Sequence, residues 1–387
     1  MTRKKLILGV TGIRSDYDIM SSVFRAIADH PALELQLIVT GAHLADAFGH
    51  TIDEISADGF VIAEQIQNLL NGDQASFRVK GMGIQLQALV QSVDRIKPDM
   101  LLVLGDREEA MTTALVGAYM NVPVAHVSGG DRVIGNVDDQ IRHAVTKLAH
   151  LHFVTSAPSA ERVIRLGEQP FRVFNVGNPG LDRLLSVPDL SSADLSERLG
   201  FEIVDGAPLI MLIQHALSTE IDDAHRQMSV TLEAVRDLGV STVLSYPNSD
   251  AGGQQMIRAI EQFADTPNLY IARNIPRLEF VNLMRRASCM LGNSSAGILE
   301  APLLKLPVVN VGNRQTGRLN AGNVEFVSHD RDMIMAAVHR ALTDQDYIAR
   351  VRRCENPYGD GQSSARIATI LADTEIDDAL LIKDITY

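Results

Sequence analysis

Met100-Leu101-Leu102-Val103-Leu104-Gly105-Asp106-Arg107-Glu108 is the stretch on which the fold reading turns. Five consecutive apolar residues closed by a glycine and an acid read as a strand buried on both faces, the habit of parallel sheets. Glycine lets the backbone turn sharply, and a helical pattern then runs over 108–119. The same unit recurs on either side. Upstream, strands are expected at 6–10 and 35–40, with helices over 18–30 and 83–96. Downstream come a strand at 122–127, a helix over 137–150, an extended segment at 151–154, a helix over 159–166 and a strand at 172–176. Strands alternating with helices specify βαβ units with right-handed crossovers.

The pattern restarts after 177–206, a looser stretch rich in Pro, Ser and Asp. Strands are expected at 209–213, 242–245, 269–272, 289–291, 308–311 and 324–327, with helices between them. A chain of 387 residues exceeds one ordinary core. The expected architecture is therefore α/β, with two Rossmann-like doubly wound domains facing across a cleft. Their bounds are set at 1–178 and 179–365, and a C-terminal helix and tail, 366–387, packs back on the first. A net charge of −13 argues against a nucleic-acid groove or an anionic membrane surface as partner. The apolar run 6–10 is too short for a signal peptide and no apolar stretch reaches a membrane span, so a cytoplasmic location is expected. Two cysteines, Cys289 and Cys354, exclude a disulfide scaffold, and neither belongs to a zinc-spaced pair.

The chemistry-bearing residues collect at expected strand ends, where doubly wound sheets bind ligands. Asp106 follows the strand 100–104. By itself it is better explained as a cap for the next helix. The strand at 122–127 leads into Ser128-Gly129-Gly130-Asp131, and Asp138, Asp139, Arg142 and His143 share the helix that follows. Surface pairing of Asp139 with Arg142 and His143 is the plain explanation there. Asp106, Asp131 and Asp138 together are harder to dismiss, because clustered acids raise one another's pKa and so divide acid and base roles. Carboxylates of this kind also suit Mg²⁺, which ranks second. Arg14 follows Gly12 at a helix start, a placement that favours phosphate. There is neither a GxGxxG nor a Walker lysine, so dinucleotide and P-loop readings lose support.

In the second half, Gly292-Asn293-Ser294-Ser295-Ala296-Gly297 leads into an expected helix that contains Glu300. Its small residues admit a ligand to the backbone, and Glu300 is placed to bind ribose hydroxyls. Arg314 and Arg318 flank Gly317 as a clamp for phosphate or sugar. His215 ends a strand, and Asn248 ends another within Tyr246-Pro247-Asn248-Ser249-Asp250. Arg277 completes the expected binding set of Arg14, Arg142, His143, Asn248, Ser294, Ser295, Ala296, Gly297, Glu300, Arg314 and Arg318. The expected catalytic set is Asp106, Asp131, Asp138 and His215.

Taken in order, Thr11-Gly12-Ile13-Arg14, Leu104-Gly105-Asp106-Arg107, Gly129-Gly130-Asp131, Asp138-Asp139-Gln140-Ile141-Arg142-His143, Gly292 to Gly297, Arg314 to Arg318 and Asn356-Pro357-Tyr358-Gly359-Asp360-Gly361 resemble the UDP-N-acetylglucosamine 2-epimerase family. The hydrolysing, sialic-acid-pathway branch is the nearer likeness. The resemblance implies a GT-B-like fold. It also implies loss of the C2 proton with expulsion of UDP, a glycal intermediate, and water addition to give N-acetylmannosamine and UDP. It implies no metal and no nicotinamide cofactor, a UDP-linked nucleotide-sugar as partner, and a homodimer or homotetramer. Ser294 and Glu300 fall on its nucleotide-binding positions, Asp106 and Asp138 on its catalytic acids. The family carries Glu or His where Ser128 stands, and Gly-Gly-Glu where this chain has Gly129-Gly130-Asp131. Either Asp131 takes over that role, or the sugar differs, with a 2,4-diacetamido-trideoxyhexose nucleotide as the alternative substrate. A non-hydrolysing epimerase, a GT-B glycosyltransferase and a non-catalytic nucleotide-sugar binder are the remaining alternatives.

Overall fold

The structure is a computed structural model that describes residues 3–70, 74–132, 137–217, 219–248 and 251–386. Two compact units divide the chain, Met1–Leu185 with Tyr358–Tyr387 and Ser186–Pro357. Unit 1 holds a seven-stranded sheet in the order β3-β2-β1-β4-β5-β6-β7. Its strands are β1 (Lys5–Thr11), β2 (Leu33–Thr40), β3 (Ile62–Ile66), β4 (Met100–Leu104), β5 (Val124–Val127), β6 (Leu151–Val154) and β7 (Val173–Asn175). Unit 2 holds β8 (Leu209–Ile213), β9 (Ser241–Ser245), β10 (Leu269–Ala272), β11 (Cys289–Gly292), β12 (Val308–Val311) and β13 (Val324–Val327), in the order β10-β9-β8-β11-β12-β13. Every pairing is parallel.

Alternation along the strands builds two cores in each unit, one on each face of the sheet. Ile7 and Leu102 face a layer formed by Tyr17, Met20, Val23, Phe24 and Ile27 of the helix Arg14–Asp29. Those five residues form one stripe at helical spacing, the reason this segment is a helix packed on a sheet. Leu8, Leu101 and Val103 face the opposite layer, with Leu89, Val116 and Val145. Each fully buried Leu, Ile or Val contributes roughly 1.5–3 kcal/mol. The helix Ser363–Asp373 returns to the first layer through Ile367, Ala368 and Leu371. The Asp182 carboxylate accepts hydrogen bonds from the Ser363 and Ser364 amides at its start, at 3.1 and 2.6 Å. Beyond it, the guanidinium of buried Arg172 donates to the carbonyls of Ala379, Leu380 and Ile382, at 2.6–2.9 Å. Among the described residues no helix is long and apolar enough to cross a membrane.

Three local expectations change. The edge strand β3 is new, because Glu64 and Gln65 interrupt its apolar run. The helix expected over 83–96 starts eight residues earlier, at Ala75. The stretch read as loose contains two helices, Gly180–Ser186 and Ser192–Leu199.

Candidate functional site

Strand order in unit 1 reverses between β1 and β4, and the carboxyl edge beside such a reversal is where open α/β sheets take ligands. Gly105, at φ +70°, turns the chain there. Asp106 does not cap the next helix: the N-cap is Arg107, with no side-chain cap bond. The Asp106 carboxylate instead accepts from Nη2 of Arg142. Arg142 lies on the helix Val137–Leu148, and its Nη1 stands 3.9 Å from Oδ2 of Asp131. Oδ1 of Asp131 accepts from the hydroxyls of Thr155 and Ser159, at 2.5 and 2.7 Å. Burial pushes the Asp131 carboxyl up; the two hydroxyls and Arg142 oppose that shift. One guanidinium thus brings two of the expected catalytic acids together.

His126 stands behind this pair, 0% exposed. Nε2–H donates to the Gly105 carbonyl at 2.7 Å, so Nδ1 is the acceptor, 3.3 Å from the Thr146 hydroxyl. Burial pushes its pKa down to about 3 and keeps the ring neutral. The imidazole therefore ties the β4 turn to the helix that carries Arg142. Ser128 follows β5 in the left-handed region, at φ +63°, a conformation costly for a residue with a Cβ. Gly130 is also left-handed, and a Cβ there would lie 2.4 Å from the Ser159 carbonyl.

Two acids that sequence reasoning missed lie along the same edge. Asp16 belongs to the first turn of the helix after β1, and its Oδ2 is 3.9 Å from Nε of Arg107. Burial raises its pKa to about 7, opposed by Arg107 and reinforced by Glu109, Asp106 and Glu108. Glu109 is buried, its pKa is raised by burial, and its Oε2 is 3.7 Å from the same Arg107 Nε. Room for it comes from Gly12, where a Cβ would fall 2.0 Å from Glu109 Oε1. That glycine was the available signal. Asp138 lies one turn before Arg142 on the same helix, and His143 Nε2 is 3.7 Å from Asp139. Arg14 is exposed, its Nε 3.6 Å from Glu54. Among the described residues no group of three or more His, Cys, Asp or Glu is placed to hold a metal ion.

Unit 2 repeats the arrangement where its order reverses, between β8 and β11. Gly292, at φ +118°, brings the β11 tip so close that a Cβ would sit 2.1 Å from the Ile213 carbonyl. Asn293 then brackets His215, accepting from its amide at 2.7 Å and donating to its carbonyl at 2.9 Å. Nδ1 of His215 accepts from the Asn248 amide at 3.0 Å, which leaves the ring hydrogen on Nε2. Nη1 of Arg314 and Nε2 of Gln315 both donate to the Asn293 carbonyl, at 3.1 and 2.9 Å. His215, Asn248 and Arg314 are thereby gathered around Asn293, which sequence reasoning did not single out. Ser294 Oγ accepts from the Ala296 amide at 3.3 Å, and Ser295 opens a helix of a single turn, Ala296–Leu299. Glu300 ends that turn instead of lying within a longer helix, and Arg277 Nη1 reaches its Oε2 at 2.8 Å. Burial raises the Glu300 pKa against the pull of Arg277. A Cβ on Gly297 would meet Val308 Cγ1 at 2.9 Å, so that glycine serves packing on β12. Arg318 is exposed. Ser249 and Asp250 lie outside the described residues.

Residues 25–372 match the model of the family described as UDP-N-acetylglucosamine 2-epimerase. The chain belongs to this family. Among its 2-epimerase relatives, a UDP-N,N'-diacetylbacillosamine 2-epimerase (hydrolyzing) of Legionella pneumophila is 35% identical over 387 residues, covering 100% of both chains. A GDP/UDP-N,N'-diacetylbacillosamine 2-epimerase (hydrolyzing) of Campylobacter jejuni is 31% identical over 84% of each. The 2-epimerase of Neisseria meningitidis, solved bound to UDP-GlcNAc, has the same fold, with a TM-score of 0.79 at 20% identity over 95% of this chain and 100% of that one. Two parallel-sheet α/β domains are the architecture shared with such 2-epimerase structures.

Proposed function

We propose that the chain is a hydrolysing 2-epimerase for a UDP-linked 2-acetamido sugar, with a 2,4-diacetamido-trideoxyhexose as the favoured sugar. Asp106 and Asp131 held by one arginine at the ligand edge of unit 1 carry the chemistry of this reading. The C2 hydrogen of such a sugar is not flanked by a carbonyl and is barely acidic, so cleavage of the C1–O bond runs ahead. Carboxylates stabilise the oxocarbenium-like centre, and one takes the C2 proton as UDP departs. The glycal then receives a proton at C2 from the opposite face and water at C1, which gives the C2 epimer of the free sugar. Asp131, whose pKa burial pushes up from the ordinary carboxylate value, suits the proton-donating half. Asp138 contributes negative charge at the start of the same helix as Arg142. This scheme calls for neither a metal nor a nicotinamide.

Unit 2 is assigned the nucleotide. His215 presents Nε2–H as a donor, Ser294 and Arg314 stand beside it around Asn293, and Glu300 is the acceptor for ribose. The full-length relative of Legionella pneumophila, at 35% identity, favours the diacetamido sugar, and Ser128 is in keeping with a substrate unlike that of the wider family. UDP-N-acetylglucosamine, converted to N-acetylmannosamine for a sialic-acid-type pathway, is the second reading, favoured by the family match itself. A panel of the two UDP-sugars, with product sugars identified by NMR, separates them. The reading expects free UDP and an epimerised free sugar, faster from the diacetamido substrate. Epimerisation with the nucleotide still attached, or UDP binding without turnover, would overturn it. We expect a homodimer or homotetramer, which light scattering reads directly.

A further inference from the structure

We propose that Arg142 is a positioning residue for the reacting carboxylates, not a ligand for the nucleotide: its guanidinium bridges Asp106 and Asp131 and fixes their separation. The inference rests on the proposed reaction and narrows it. Arg142 is 8% exposed and offers little surface to a substrate. Its Nη2 donates to Asp106 and its Nη1 faces Asp131 Oδ2 at 3.9 Å. A phosphate that took Nη2 would displace Asp106, and two part-buried carboxylates would then lose their shared cation.

The surroundings are built to hold this bridge still. Thr155 and Ser159 occupy Oδ1 of Asp131, so the oxygen that faces Arg142 is the one left to act. His126 fixes the Gly105 carbonyl on one side and meets Thr146, one turn after Arg142, on the other. The β4 turn and the arginine's helix are thereby locked in one register. Displacement of a reacting group by about 1 Å costs on the order of 10²-fold in rate. Lysine is a point charge without the planar fork that spans two carboxylates, so it keeps the charge and loses the bridge.

The test compares wild type with R142K and R142A. The expected result is a kcat lowered 10- to 100-fold in R142K, with KM and the calorimetric UDP affinity within threefold of wild type. In R142A, added guanidinium chloride at millimolar concentration restores part of kcat. Thermal unfolding supplies a readout that needs no turnover: R142A lowers Tm, and R142A/D106N/D131N recovers part of the loss because the abandoned carboxylates are gone. A UDP affinity that falls tenfold or more in R142K, with kcat intact, would overturn the inference and return Arg142 to nucleotide binding. A Tm that falls further in the triple variant would also overturn it. If wild type releases no UDP from any sugar, the proposed reaction fails, while the UDP affinity and the Tm series still decide the role of Arg142.

Discussion

At the scale of single residues, acids are visible in a sequence but their partners are not. Asp106 reads more readily as a cap than as a catalyst until Arg142, thirty-six positions on, is seen to hold it. Asp131 is legible as one of three acids at expected strand ends, whereas Asp16 and Glu109 occupy first turns of helices, an ordinary place for acids. Asp106→Asn and Asp131→Asn should each lower kcat by roughly 10²–10⁴-fold, with UDP affinity by calorimetry nearly unchanged. A large loss of UDP binding would contradict the division between the units. Asp16 predicts a pH effect on stability. Its pKa is raised by burial to about 7, so the folded chain binds a proton that the unfolded chain has already lost between about pH 4 and 7. That contribution is present at low pH and disappears as pH rises through 7. Asp16→Asn should therefore gain stability relative to wild type on going from pH 5 to pH 8, measured by urea midpoints. A difference that stays flat with pH would show that the group is not shifted. Ser128→Gly relieves a left-handed φ and should stabilise by about 0.5–1 kcal/mol in the same assay.

Elements were legible where burial makes a sequence monotonous. β4, β6, β8, β10, β12 and β13 have the bounds expected from their apolar runs. β3 was not legible, since an edge strand buries only part of its surface and tolerates Glu64 and Gln65. The expected helix overruns the single turn Ala296–Leu299 because Ile298, Leu299 and Ala301 continue a helical pattern, while Pro302 lacks the amide hydrogen that a longer helix needs. The Gly292 turn is the tightest joint of this region. Gly292→Ala forces a Cβ against the Ile213 carbonyl at a backbone angle that only glycine adopts readily. A loss of roughly 2–4 kcal/mol is expected by denaturant titration, together with weakened UDP binding through the Asn293 bracket. A loss below about 0.5 kcal/mol would mean that the joint can open without cost.

At the scale of the whole molecule, the two sheets were readable and the path of the chain's end was not fully so. Ile367, Ala368, Leu371 and Leu380 complete the core of unit 1, and Arg172 holds the carbonyls of Ala379, Leu380 and Ile382. An arginine in the sequence does not announce that it will be buried against carbonyls more than two hundred positions away. Unit 2 is one continuous segment with its own cores. A fragment 186–357 should thus unfold cooperatively by circular dichroism, whereas 1–185 should need 358–387 supplied in the same chain or in trans. A fragment 1–185 as stable as the intact unit would show that the returning helix is dispensable.

The proposed reaction couples proton exchange at C2 to loss of the nucleotide. Its most direct test is turnover of the UDP-linked diacetamido sugar in D₂O, followed by NMR of the released sugar. The expected products are free UDP and a C2-inverted sugar that carries one deuterium at C2. Free UDP with an unlabelled sugar of unchanged configuration would contradict it.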